Sequence, residues 1–169
     1  MNAHEHRLVH VALFIALEII LSRFCSIQTP IAKIGFAFVP VALCGMLYGP
    51  VWAGILGGIS DMLGAILFPF GGNYFPGFTI SAILAGATYG VFLHKKEQSI
   101  YNLCIALFIN RFMISLGLST FWLTIITRVP YRLLLIARIT QNILLFCVEL
   151  AILRTIQIKW TSIQQILKN

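Results

Sequence analysis

Glu18, Asp61 and Arg111 each lie about ten residues inside a long apolar run, in a chain of 169 residues that holds only five acidic side chains. An ionised group at that depth is costly in a bilayer unless it meets a partner or a ligand, so all three are candidate functional residues. For Arg111 a structural ion pair and a ligand contact are both open; Glu149 is expected to pair near Arg154 or to contact a partner protein. A second set is wholly cationic: Arg23, Lys33, Arg128, Arg132 and Arg138 fall, on the segmentation below, at one side of the membrane with no carboxylate nearby. A guanidinium matches a carboxylate bidentately, so this set points to a site for an anionic solute. The alternative is that Arg128 and Arg132 touch lipid headgroups and Arg138 reaches outward to water.

Between two apolar runs, Leu67 to Phe78 reads LFPFGGNYFPGF, with no charge, four Phe, one Tyr, two prolines and three glycines. The rings of Phe68, Phe70, Tyr74, Phe75 and Phe78 offer flat apolar surfaces, Gly71 and Gly72 allow bends, and Asn73 and Tyr74 add polar tips. A cover over an aromatic ligand has this composition, and so does an interfacial aromatic belt. Trp122 is a belt residue or a pocket wall. Other chemistries lack their residues. There is no G-x-x-x-x-G-K-[ST] phosphate loop, no H-E-x-x-H and no G-x-S-x-G, and the four histidines stand apart from the acidic residues named above. The four cysteines are single and read as buried small hydrophobes, without disulfide or zinc spacing.

The elements that must hold these residues are membrane helices. The chain is 59% hydrophobic and 10% charged, with mean hydropathy +0.93, far from a water-soluble domain. Its net charge of +7 is dispersed between apolar runs and not clustered on one face, which argues against nucleic acid. Uncharged runs near 20 residues predict a single all-α integral membrane domain of six spans, at about 8–27, 31–49, 50–69, 77–93, 100–126 and 132–153. Tyr48-Gly49-Pro50 separates the second from the third. A tail over 154–169 reads as interfacial. Six spans put both termini and the loop 94–98 on one side with Arg7, Lys95, Lys96, Arg154, Lys159 and Lys168, and the positive-inside rule makes that side cytoplasmic. No cleavable leader is read at the start; the first run is taken as an uncleaved span. Eleven of the thirteen glycines fall between Gly45 and Gly90, in pairs such as Gly54-xxx-Gly58 and Gly86-xxx-Gly90 that let helices approach closely. Ala12 and Ala16 give the first span a similar small face.

The motifs SRF-SIQTP, GFAFVP, YGPVWAG, SDMLGA and GGNYFPGFT carry a further signal. From Leu21 to Gly90 the chain resembles the folate-specific substrate-binding (S) components of energy-coupling factor (ECF) vitamin transporters. That resemblance implies a bacterial cell-membrane protein with six short helices forming a cup for folate under aromatic and Gly-rich outer loops. It also implies a transmembrane coupling subunit and two separate ATPases as partners, docking through Ala12 and Ala16, with no catalysis, metal or cofactor in this chain. The expected ligand contacts are Arg23, Gln28, Thr29, Asp61, Asn73, Tyr74, Phe75, Phe78, Asn110, Arg111, Trp122, Arg132 and Arg138. The pterin is expected deep, near Asp61, and the glutamate nearer the rim, among Arg128, Arg132 and Arg138. The later half departs from the pattern: Ser119-Thr120-Phe121-Trp122 stands where folate members carry Asn-Thr-x-Trp. Another vitamin such as riboflavin remains an alternative, and an intramembrane enzyme a remote one.

Overall fold

Where glycine and proline adjoin, the chain changes direction. Gly49 takes φ +89°, a conformation that costs glycine little, and Pro50 opens the next helix, where its missing amide proton is no loss. The computed structural model describes residues 3–28, 33–68, 74–94 and 99–159. Within them the order is helix α1 (Ala3–Arg23), strands β1 (Ser26–Gln28) and β2 (Lys33–Gly35), then helices α2 (Phe38–Tyr48), α3 (Pro50–Leu67), α4 (Pro76–Leu93), α5 (Ile100–Thr127) and α6 (Tyr131–Ile158). The central part of α5, Ile109–Ser119, is a π-helix, wider than the α-helical ends on either side.

The described residues are therefore all-helical apart from one hairpin. Among them four helices, α3 to α6, are long and apolar enough to cross a membrane. The second predicted span changes most. Instead of beginning near Ile31, its helix begins at Phe38, because Lys33–Gly35 pairs antiparallel with Ser26–Gln28 in the register Ser26↔Gly35, Ile27↔Ile34, Gln28↔Lys33. Its 11 residues reach about 16 Å at 1.5 Å per residue, half of a bilayer core. Helix α1 ends at Arg23 rather than at residue 27, since the hairpin takes over at Ser26. Helix α6 runs past Leu153 to Ile158, into the stretch read as a tail; residues 160–169 lie outside the described residues.

Short α2 sits at the centre. On one side Ala42 and Met46 pack with Tyr89 and Leu93 of α4, Leu103 and Leu107 of α5, and Leu153 of α6. On the other, Cys44 packs with Val11 and Phe14 of α1 and with Ala53 and Leu56 of α3. Helices α3 and α4 form the most extensive helix pair, and small residues allow it: a side chain at Gly57 would strike the Ala82 carbonyl, and one at Gly86 the Ala53 carbonyl. The outward faces carry large apolar residues such as Leu13, Val51 and Ile136, whereas Ser60, Asn110, Thr120, Asn142 and Glu149 are buried. Turning polar side chains inward, among the apolar core, beneath an apolar surface is the arrangement that lipid selects. Of the cysteines only Cys44 is buried; Cys25 and Cys147 are exposed, which corrects the expectation that all four are core residues. A thiol is apolar enough for a lipid-facing surface.

Candidate functional site

Contacts between helix ends bring the candidates to one end of the bundle. Phe24, just after α1, stacks edge-on with Phe68 at the end of α3, with centroids 5.3 Å apart. The Arg23 guanidinium lies against Gly64 of α3, its Nε buried without a hydrogen-bond partner. From the far end of α5, Trp122 reaches the start of α4: its ring is 5.7 Å from that of Phe75, and its Nε1 donates to Ser81 Oγ at 3.2 Å. Phe75 in turn meets Phe78 at 6.1 Å in an edge-on arrangement. Gly77 makes room for this cluster, because a Cβ there would lie 2.5 Å from Phe75 and 2.6 Å from Trp122.

Beside the aromatic group, α3 contributes Asp61. Thr79 of α4 donates to Asp61 Oδ2 at 2.8 Å, and the Thr79 hydroxyl is 3.1 Å from the Tyr74 hydroxyl. Asp61 is half-buried and Tyr74 exposed, so this carboxylate is reachable from outside the bundle. The arrangement combines edge-on and tilted aromatic rings with an anionic acceptor, which suits a flat heterocycle with N–H donors at its edge.

Helices α5 and α6 supply the cationic side. Arg138 donates through Nη1 to Thr120 Oγ1 at 2.9 Å and through Nη2 to Ser115 Oγ at 3.4 Å, while its Nε is buried without a partner. Both hydroxyls are uncharged, and among the described residues no carboxylate pairs with Arg138. The π-helical turn contributes here: Thr120 gives its own proton to the carbonyl of Ser115, five residues back, at 3.3 Å. A guanidinium held by hydroxyls and not paired with a carboxylate among the described residues has the chemistry to bind one.

The other candidates divide. Arg111 is committed to Glu149: Nε donates to Oε2 at 2.7 Å and Nη2 donates to Oε1, a bidentate pair with Glu149 fully buried. Glu149 thus pairs across to α5 rather than along its own helix with Arg154, because its side chain turns inward. Asn110 is buried next to Tyr89. Arg132 is exposed on the first turn of α6. Gln28 lies in β1, and Thr29 and Asn73 lie outside the described residues, as do Phe70, Gly71 and Gly72. Ala12 and Ala16 are both exposed on one face of α1, opposite the buried Val11 and Phe14.

Sequence reasoning missed four hydroxyl residues, Thr79, Ser81, Ser115 and Thr120, as partners of Asp61, Trp122 and Arg138. Their signal was weak: each is a small polar residue in an apolar helix, and most such residues only satisfy their own backbone.

Residues 6–156 match the model of one family, described as ECF transporter, substrate-specific component. The chain belongs to that family. Its members are transporter components, not enzymes. A folate transporter FolT of Clostridium novyi is 43% identical over 139 residues, covering 82% of this chain and 80% of that protein. A folate transporter FolT of Leuconostoc mesenteroides is 27% identical over 151 residues, 85% of this chain and 80% of that one. Among solved structures, that of a FolT bound with folic acid aligns with TM-score 0.81 and 33% identity, over 87% of this chain and 88% of the other.

Proposed function

We propose that this chain is the folate-binding S component of a bacterial ECF transporter, capturing folate at the end of the bundle that holds Asp61, Trp122 and Arg138. The observation that carries the reading is the likeness, at 33% identity and TM-score 0.81, to a FolT bound with folic acid. The chemistry of the site agrees with it. Folate joins a flat pterin, with donors on its amino-pyrimidine edge, to a glutamate with two carboxylates. The pterin stacks among Phe75, Phe78 and Trp122 and gives its donors to Asp61, and the glutamate meets Arg138, with Arg132 and Arg23 as further cations. Tyr74 contributes its ring, its hydroxyl being taken up by Thr79, and Gln28, Thr29, Asn73 and Asn110 complete the proposed contacts. Arg111, held by Glu149, supports the site from behind.

The site end faces outward and both termini face the cytoplasm, with α1 to α6 together crossing the membrane. The Ala12 and Ala16 face of α1 docks on a transmembrane coupling subunit driven by two ATPase subunits, a division of labour that agrees with a sequence holding no G-x-x-x-x-G-K-[ST] phosphate loop. Reconstitution tests the whole reading. Proteoliposomes holding this chain, the coupling subunit and both ATPases take up labelled folate when ATP is supplied on the nucleotide-binding side; absence of uptake by a complex that hydrolyses ATP would contradict it.

A further inference from the structure

The helices satisfy most of their hydroxyls in one way. Ser60, Ser81, Thr88, Thr124, Thr127 and Thr155 each donate to the carbonyl four residues back. Thr79 does not follow them. Its partner four residues back would be Phe75, yet its hydroxyl crosses to Asp61 Oδ2 at 2.8 Å and also meets the Tyr74 hydroxyl at 3.1 Å. Its methyl faces Gly58 of α3, which leaves the side chain little freedom to turn.

The protons fix the direction of this chain of bonds. An ionised carboxylate only accepts, and a threonine hydroxyl has one proton. That proton goes to Asp61, so Thr79 accepts from Tyr74, and the sequence of donation is Tyr74 to Thr79 to Asp61. Oδ2 of Asp61 is then occupied, and Oδ1 has no partner among the described residues. A carboxylate with one oxygen tied and the other open has a set orientation before any ligand arrives, and pre-set acceptors bind with less loss of freedom.

We propose that Thr79 is a positioning residue of the heterocycle subsite: it aims Asp61 Oδ1 at the N–H donors of a flat heterocycle and couples that carboxylate to Tyr74 at the mouth of the site. The inference rests on the reading that Asp61 receives the pterin edge. It adds a device that the ligand does not touch, and predicts that the device acts on the heterocycle and not on the glutamate.

The experiment is calorimetric titration of the purified, ligand-free protein in detergent with folate and with pteroic acid, which lacks the glutamate. Thr79→Val, which keeps the shape and removes the hydroxyl, is expected to weaken both ligands alike, by about tenfold for a lost bond to a charged group. Thr79→Ser is expected to restore affinity to within about threefold of wild type, the methyl being the smaller contribution. In an Asp61→Asn background Thr79→Val is expected to add almost nothing, as is Tyr74→Phe in a Thr79→Val background. Equal losses with and without Asp61, or no rescue by serine, would overturn the proposal and reduce Thr79 to packing. Should Thr79→Val fail to fold, Tyr74→Phe with and without Asp61→Asn gives the same cycle. Should the wild type bind neither ligand, the folate reading fails, and hydrogen exchange at the Tyr74, Phe75, Gly77 and Phe78 amides then decides for Thr79: faster exchange in Thr79→Val but not in Thr79→Ser supports the coupling, and unchanged exchange overturns it.

Discussion

Replacing Glu149 by Gln leaves Arg111 inside the bundle facing a neutral amide, and the size of the damage separates a structural pair from a ligand contact. The two groups meet at 2.7 Å through Nε and Oε2, with a second bond alongside, and Glu149 has no exposed surface. Charges about 4 Å apart attract by about 4 kcal/mol at an effective dielectric near 20. Desolvation offsets much of that while both partners are present, but removing one leaves a buried charge uncompensated, at a cost of about 3–5 kcal/mol. For a chain of this size each kcal/mol moves the melting temperature by roughly 2–4 °C, so Glu149→Gln should lower it by roughly 6–20 °C. The double variant Arg111→Met with Glu149→Leu removes both charges and should recover most of that loss, because an apolar pair of similar volume is often neutral or better. The assay is thermal unfolding in detergent followed by folate titration of the same samples. A melting temperature for Glu149→Gln within measurement error of wild type would show that the pair does not hold the bundle together. Loss of folate binding by a double variant that melts like wild type would show instead that Arg111 holds the ligand.

The remaining predictions concern the site and the docking face. Arg138→Met should weaken folate by about 10- to 100-fold while leaving pteroic acid nearly unchanged, since a charge-assisted bond to the glutamate contributes about 1.5–3 kcal/mol; equal losses for both ligands, by calorimetry, would remove Arg138 from the carboxylate site. Ser81→Ala takes away the acceptor of Trp122 Nε1 and should cost about fivefold in folate affinity, with a change in tryptophan emission, as expected for a neutral bond of about 1 kcal/mol. Gly77→Val drives a side chain into Phe75 and Trp122 and should abolish measurable binding more than it lowers the melting temperature, because the displaced rings lie at the surface end of the bundle. Ala12→Trp with Ala16→Trp should keep folate affinity but lose co-purification with the coupling subunit, on the reading that this exposed face docks.

What the sequence made legible was local. Gly49-Pro50 marks the α2–α3 break because a positive φ and a helix start are both properties of those two residues. The cationic set and Asp61 stood out because charge is scarce in apolar sequence. The hairpin was hidden, since its pairing of Ser26 with Gly35 depends on register and not on a periodic pattern. The π-helical stretch of α5 was hidden for a related reason: its side chains read as an ordinary apolar helix, and the wider turn shows only in which carbonyl each group meets. Partners were the hardest to read. Glu149 and Arg111 are 38 positions apart, and choosing Arg111 over the nearby Arg154 requires knowing which face of α6 meets α5. Thr79 and Ser81 are two residues apart on α4, yet one faces α3 and the other α5, which follows from the helical period only after the neighbours are placed.

On the proposed reading this S component holds folate by a heterocycle subsite at Asp61 and a carboxylate subsite at Arg138. Calorimetric titration of the stripped, detergent-solubilised protein with folate, pteroic acid and riboflavin tests both subsites at once. Tight binding of folate, weaker binding of pteroic acid and none of riboflavin is the predicted result. Binding of riboflavin without folate would keep the family and contradict the substrate, and equal affinity for folate and pteroic acid would contradict the carboxylate subsite.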